Sequence, residues 1–389
     1  MAEHARLSAS GAKKWLNCPL SVLMESQFPN ESSKYAEEGT TAHALGELKI
    51  RFENKELNKK EFSSALKELE KSEFFNEEMV EYINGYRDFV IERFNEARKK
   101  TKDAVLMLEQ RLDFSDYAPD GFGTGDVVII ADGNMEIVDL KYDKGVLVSA
   151  ENNPQLRLYA LGAIGEYDYM YDINSVNVTI YQPRIDNISS ENIAVDKLLK
   201  WGEEVVKPKA KLAYEGQGEC CAGKHCDEGF CRARVICKAY ADKQLELAKY
   251  EFKSRYILNE ADISDVLSSV DKLVSWAKDI KDYALEQALI NGTKYPGFKL
   301  VEGRSNRTYT TEQEVIEVLK QNLYDDNEIY NVKVKGITEL EKILGKKEFE
   351  RLLGQYVIKP AGKPTLVPES DKRPELNTAT EDFKDIINN

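Results

Sequence analysis

Two neighbouring runs of hydrophobic residues dominate the polarity pattern of this chain. Val127–Ile130 is a run rich in β-branched residues, and Met135–Tyr142 is a second strand-like run. Asp132-Gly133, between them, is a strong short-range hairpin signal. A strand is also predicted over Ala104–Phe114 (AVLMLEQRLDF), and another over Ser175–Tyr181 (SVNVTIY), which ends at Gln182-Pro183-Arg184. Helical spacing appears elsewhere. Leu7–Phe28 offers Ser8 and Ser10 as caps ahead of Trp15 and Leu16, and Glu37–Ile50 has its start marked by Gly39-Thr40-Thr41. Glu61–Lys100 accommodates one or two helices, Pro154–Leu161 begins with proline near its first turn, and Ala194–Tyr214 returns to helix. Beyond Tyr240 the character changes. Lys243–Asn291 is strongly helical with a break near Asn259–Asp262, Gly297–Tyr309 reads as a hairpin or extended arm with Arg304 and Arg307, and Thr311–Gln355 suggests a small helical unit. From Lys359 the chain is rich in proline and charge and reads as extended or disordered. The division expected is 1–242 as a core, 243–358 as a helical region and 359–389 as a tail.

The predicted hairpin has a chemical consequence. A two-residue turn at Asp132-Gly133 pairs Ala131 with Asn134, and continuing the ladder sets Asp126 opposite Asp139. Opposed side chains stand about 4.5–5.5 Å apart at Cβ, where like charges repel. Strand alternation puts Lys141 on the same face as Asp139. A cation between the carboxylates would relieve the repulsion, so the hairpin is a candidate metal site. Upstream, His43 and Glu47 share a helix face, being four residues apart, and downstream Gln155 and Tyr159 do the same.

Taken in order, Gly39-His43-Glu47, Gly123-Asp126, Asp139-Leu140-Lys141 and Gln155-Tyr159 resemble the motifs of the PD-(D/E)xK nuclease superfamily, specifically its RecB-like branch. The resemblance covers roughly residues 5–240. It implies an α/β fold: a mixed central β-sheet flanked by helices, the restriction-endonuclease-like core, here followed by a mainly helical C-terminal appendage. It also implies that His43, Asp126 and Asp139 hold a divalent metal, with the carbonyl of Leu140 as a further donor. By the same resemblance Lys141 positions or activates the attacking water, and Gln155 and Tyr159 support the site and the DNA backbone. Glu47 either holds a second metal or stands behind the first.

These residue types suit phosphodiester hydrolysis on chemical grounds as well. A hard cation polarises the phosphoryl oxygen and lowers the pKa of a bound water. Carboxylates suit Mg²⁺, and an imidazole among the ligands shifts the preference toward Mn²⁺. A lysine ammonium stabilises developing negative charge. No Walker-type or dinucleotide-binding glycine motif is present, and three histidines leave little for nucleophilic catalysis.

Cysteine usage is the second signal. Five of the six cysteines fall within Cys220–Cys237 (CCAGKHCDEGFCRARVIC), and the sixth is Cys18. A chain whose N-terminus lacks the apolar core of a secretory signal favours metal binding over disulfides. Cys226, Cys231 and Cys237 do not form the paired CxxC knuckles usual for zinc, whereas a [4Fe–4S] cluster accepts less regular spacing. Iron–sulfur, zinc and unligated thiols stay open on spacing alone. Some RecB-like nucleases, such as the AddB helicase-nuclease subunit and CRISPR-associated adaptation nucleases, place one cysteine before the nuclease motifs and three after. That resemblance implies a [4Fe–4S] staple on Cys18, Cys226, Cys231 and Cys237, with Cys220, Cys221 and His225 as spare or competing ligands.

Net charge narrows the partners. At −14 over 389 residues the chain is unsuited to coating nucleic acid nonspecifically. Local basic groups remain: Lys13-Lys14, Lys207/Lys209/Lys211, and Arg232, Arg234 and Lys238, of which Arg232 and Arg234 are candidate DNA contacts. No apolar run reaches the length of a membrane span. The expectation is a cytoplasmic, metal-dependent DNA nuclease, an exonuclease by resemblance to stand-alone phage and prophage enzymes of recombination, replication or repair. A helicase or a single-strand-binding or annealing protein is the expected partner besides DNA. The alternative is a catalytically silent nucleic-acid-binding module stapled by an iron–sulfur or zinc site.

Overall fold

Helices lead into the sheet. α1 (Ala12–Trp15) and α2 (Ser21–Glu25) come first, followed by α3 (Lys34–Glu53), α4 (Lys59–Leu69) and α5 (Glu77–Lys100). The computed structural model describes residues 5–29, 34–246, 260–301, 311–331 and 333–358. Pro19 follows Cys18 and separates the first two helices, because its ring and missing N–H stop a helix from running through. α3 begins earlier than the Gly39-Thr40-Thr41 signal suggests, and that triplet lies inside it. The hydroxyls of Thr40 and Thr41 donate to the carbonyls of Ala36 and Glu37, four residues back, so both residues fit a helix interior. Asn58 caps α4 in a reciprocal capping box with Glu61, and Asn76 caps α5.

The sheet contains β1 (Val105–Asp113), β2 (Phe122–Ala131), β3 (Gly133–Leu140), β4 (Ile173–Gln182) and β5 (Asn187–Ala194), in that spatial order. β1, β2 and β3 form an antiparallel meander. β3 and β4 run parallel, as a crossover through α6 (Pro154–Tyr167) requires, and β5 returns antiparallel to β4. The sheet is therefore mixed and flanked by helices, an α/β fold. β5, absent from the sequence reading, follows Gln182-Pro183-Arg184 as the second arm of a hairpin. Its sequence NISSENIA has few strand formers and alternates exposed with part-buried positions, as an edge strand does.

Alternating side chains divide the core into two layers. Val128, Ile130, Met135, Ile137, Val176, Val178 and Ile180 face α1, α6 and the later helices α7 (Val195–Trp201) and α8 (Lys207–Glu215). Val127, Ile129, Ala131, Val138 and Leu140 face α3 and α5, where Leu45, Ile83 and Val90 meet them. Arg93 on α5 donates to both oxygens of the buried Glu136 in β3, at 2.8 and 3.0 Å, and ties that helix to the sheet.

Contacts divide the chain into Met1–Ala284 and Leu285–Asn389. The first unit runs past residue 242. After α9 (Lys224–Glu228) and α10 (Lys238–Gln244) it takes in most of α11 (Glu260–Ile290), whose Trp276 packs with Cys226, Cys231, Ala233 and Tyr240. The second unit carries α12 (Glu312–Gln321), α13 (Asp326–Ile329), α14 (Ile337–Leu344) and α15 (Lys346–Leu353), matching the small helical unit expected there. The stretch 302–310, with Arg304 and Arg307, and the tail from 359 lie outside the described residues.

Candidate functional site

The turn at Asp132-Gly133 sets the register of the site. Gly133 adopts a φ of +80°, which a residue with a side chain rarely takes. Ala131 pairs with Asn134, and the ladder runs on to Val127 opposite Val138. One step further the ladder gives way. Asp126 turns its Oδ2 to accept the backbone N–H of Leu140 at 2.7 Å, while its Oδ1 lies 3.3 Å from His43 Nδ1 on α3. Asp139, 3% exposed, stands across the sheet beside Lys141, whose Nζ is 2.9 Å from Asp139 Oδ2.

α6 completes the arrangement. Asn153 caps it by accepting from the N–H groups of Gln155 and Leu156, and Pro154 occupies its first turn. Gln155 Nε2 donates to Asp139 Oδ1 and to Tyr159 Oη, both at 3.1 Å, and its Oε1 accepts from Lys141 Nζ at 3.2 Å. One amide thereby fixes the carboxylate, the ammonium and the phenol together. Gly123 leaves room for this, since a Cβ there would come 2.6 Å from the Tyr159 ring.

The structure adds a residue to the sequence set. Glu109 on β1 lies opposite Asp126, at the one level where the β1–β2 pairing is interrupted. It holds a φ of +50°, a strained conformation for a residue with a side chain. The alternation of both strands changes phase there. In β1, Leu106 and Leu108 face α3 and α5, yet Leu112 faces the other core layer. In β2, Val127 faces α3 and α5, yet side chains at Gly123 and Gly125 would meet Tyr159 and Leu112 of the other layer. This local reversal brings one ligand atom each from His43, Glu109 and Asp126 within 4.8 Å of one another. The sequence signal for Glu109 was the polar pair Glu109-Gln110, which interrupts an otherwise regular strand.

Electrostatics follow from this crowding. Burial opposes protonation of His43, but the Asp126 carboxylate beside it, with help from Asp139 and Glu109, raises the imidazole pKa to about 9. Burial and then the charge of Asp126 push Glu109 up to about 7. Burial raises Asp139, against the pull of Lys141, and Asp139 in turn holds Lys141 above the usual lysine value despite its own desolvation. Asp139 Oδ2 is paired with the Lys141 ammonium, whereas the buried hydroxyl of Tyr86 makes no hydrogen bond. Burial, then the charges of Asp126, Asp139 and Glu109, keep that phenol well above its ordinary pKa.

Glu47 is placed differently. Its carboxylate lies 2.8 Å from Nε of Arg51, one turn along α3. Arg232 reaches Glu25 and the carbonyls of Phe28 and Pro29, and Arg234 pairs with Asp279 at 2.7 Å, so both guanidinium groups bind the protein itself. Lys13, Lys14 and Lys207 are likewise paired, with Glu228, Glu25 and Glu203.

All six cysteines line one small pocket, with Lys14, His225, Arg234 and Tyr240. Cys18, Cys226 and Cys231 are buried and Cys221 is exposed. Burial, then its neighbours Cys237 and Cys18, pushes the Cys220 thiol up to about 12; burial and Glu25 push Cys231 up to about 11. Cys220 thus sits with Cys18 and Cys237 rather than apart from them. Glu25 binds the cysteine loop to α2 by accepting the N–H of Arg232 at 2.9 Å.

Among the described residues no helix is long and apolar enough to cross a membrane. A family model described as "Protein of unknown function (DUF2800)" matches residues 4–374. Among solved structures, one titled "Crystal structure of SSO0001" is similar at a TM-score of 0.27 and 15% identity, over 62% of this chain and 89% of that one.

Proposed function

The chain belongs to the DUF2800 family, and we propose that it is a divalent-metal-dependent deoxyribonuclease of RecB-like type. The observation that carries the proposal is the network joining Asp126, Asp139, Lys141, Gln155, Tyr159 and His43, which gathers two carboxylates, an imidazole and an ammonium around the β2–β3 hairpin. Carboxylates crowded together in a buried site repel one another, which a bound cation relieves. The donor set of carboxylates and one imidazole fits Mg²⁺ or Mn²⁺. Bound there, such an ion would polarise a phosphoryl oxygen and acidify a water.

The chain's own groups have defined tasks in this reading. Asp126 and Asp139 hold the cation. Lys141, kept protonated by Asp139, serves as a hydrogen-bond donor and positive charge toward the phosphate and the incoming oxygen rather than as a base. Gln155 fixes the direction of Lys141 and of Asp139 at once, and Tyr159 anchors Gln155. The buried cysteine pocket supports a [4Fe–4S] cluster on Cys18, Cys226, Cys231 and Cys237, with zinc as the alternative; Cys220 is close enough to compete. Action on DNA ends in phage-type recombination or replication, beside a helicase or annealing partner in the cytoplasm, belongs to the same proposal.

The test is cleavage of end-labelled linear DNA, single- and double-stranded, by anaerobically purified protein with Mg²⁺ or Mn²⁺. Wild-type cleavage that disappears in Asp139→Ala, with the fold intact by circular dichroism, is the expected result. DNA binding without cleavage by the wild type would instead favour the silent binding module.

A further inference from the structure

We propose that the loop between β3 and α6 carries a wedge, Val146-Leu147, which opens the end of a DNA duplex and passes one strand to the site. The proposal rests on the nuclease reading and adds to it the form of DNA that enters and the residues that prepare it.

Position is the first observation. The loop leaves β3 after Leu140 and reaches α6 at Pro154. Tyr142 belongs to the core layer against α3 and α5, whereas Val148 packs on the opposite layer, which includes α6. Residues 143–147 therefore cross the end of the sheet where Lys141 stands. The five residues from Lys141 to Val146 span at most about 18 Å, which is about five nucleotide steps along one strand.

Construction is the second. Gln182, 0% exposed at the end of β4, fastens the loop from beneath. Its Nε2 donates to the carbonyl of Val146 at 2.9 Å and to Asp143 Oδ1 at 3.2 Å, and its Oε1 accepts the N–H of Val148 at 3.1 Å. Asn187 donates to the carbonyl of Val148 at 2.9 Å, and the N–H of Ala150 donates to Ser189 Oγ at 3.0 Å. These backbone groups turn inward, while the side chains of Val146 and Leu147 stand 51% and 53% exposed. A backbone tied at so many points cannot fold back to bury them.

The surroundings select the occupant. Lys141 stands at the base of the loop, and Lys144 within it lies 3.8 Å from Glu78, beyond hydrogen-bond reach, with its side chain half exposed. Ammonium groups suit a phosphate backbone, and adjacent aliphatic side chains suit the faces of bases. Asp139 is 3% exposed, so a reacting phosphate must come down to it from the surface, which parts its strand from the complement. Apolar side chains inserted at a base step offset the stacking lost there.

The test uses a blunt duplex with 2-aminopurine as a terminal base, whose fluorescence rises when it unstacks. With saturating wild-type protein in EDTA, where no strand is cut, the signal should rise severalfold. Val146→Ser combined with Leu147→Ser should leave it at the level of free duplex at equal saturation, followed by anisotropy, and should melt like the wild type because both side chains are exposed. With Mg²⁺ or Mn²⁺, the same variant should lower the ratio of duplex to single-strand cleavage about tenfold. Lys144→Ala should weaken binding of both DNA forms and flatten its salt dependence, yet keep the fluorescence rise at saturation. An undiminished rise in the double variant, no rise with the wild type, or an unchanged cleavage ratio would each overturn the wedge. A rise lost in the double variant of a protein that cuts no DNA would overturn the nuclease reading and leave the wedge standing.

Discussion

Gly123 has no room for a methyl group. A Cβ there would stand 2.6 Å from Cε1 of Tyr159 and 3.4 Å from Ala9, so Gly123→Ala must displace the ring that anchors Gln155. The expected outcome is a loss of about 1–3 kcal/mol from overpacking, seen as a lower urea midpoint, together with a larger loss in cleavage rate than in DNA affinity. Gly39 is the contrasting case. Nothing lies within 4 Å of a Cβ built on it, and it sits inside α3. Gly39→Ala should therefore stabilise the protein by roughly 0.5–1 kcal/mol through helix propensity, read from the same urea curves. At this scale the neighbourhood of Asp126, Asp139 and Lys141 was legible because one turn fixes the register as far as Val127 opposite Val138; the expected pairing of Asp126 with Asp139 gives way to the bond from Leu140 N–H to Asp126. Glu109 was not. Its position depends on a left-handed backbone that a regular strand pattern does not announce, and its partners His43 and Asp126 come from elements far apart in sequence.

The helix that carries Gln155 depends on its cap. Asn153 accepts from two backbone N–H groups at the start of α6, so Asn153→Ala should cost about 1 kcal/mol. Because the fraying begins at Gln155, activity should fall more than global stability does, which a comparison of denaturation with single-turnover cleavage would show. Several elements could be read from the sequence for a simple reason. The β2–β3 hairpin and the amphipathic helices α4 and α5 are local, with their turn and capping residues written beside them. β5 is different, because its polar sequence becomes a strand only through pairing with β4. The start of α3 was misread for a related reason: threonine hydroxyls that mark caps elsewhere here bond back within the helix.

At the scale of the whole molecule, the sheet separates two core layers, and the candidate site opens where β1 and β2 exchange faces between them. Order along the chain made the α/β class legible, and the resemblance placed Cys18 with Cys226, Cys231 and Cys237; the pocket lined by all six cysteines takes in Cys220 and Cys221 as well. That pocket makes a stability prediction. Cys231→Ser, at a buried thiol, should lower Tm and any absorbance near 400 nm together. Cys221→Ser, at an exposed thiol, should leave stability within about 0.5 kcal/mol.

The pocket also sets an order of events during synthesis. Cys18 precedes Cys220 by 202 residues, so at about 5–20 residues per second the first thiol leaves the ribosome roughly 10–40 s before the others. For that interval α1 and α2 exist without the segment they embrace, while the strands between are still being made. Closure of the pocket is thus among the last steps in making the first unit, and a nascent chain arrested before Cys220 should present Cys18 to thiol reagents that the finished protein excludes.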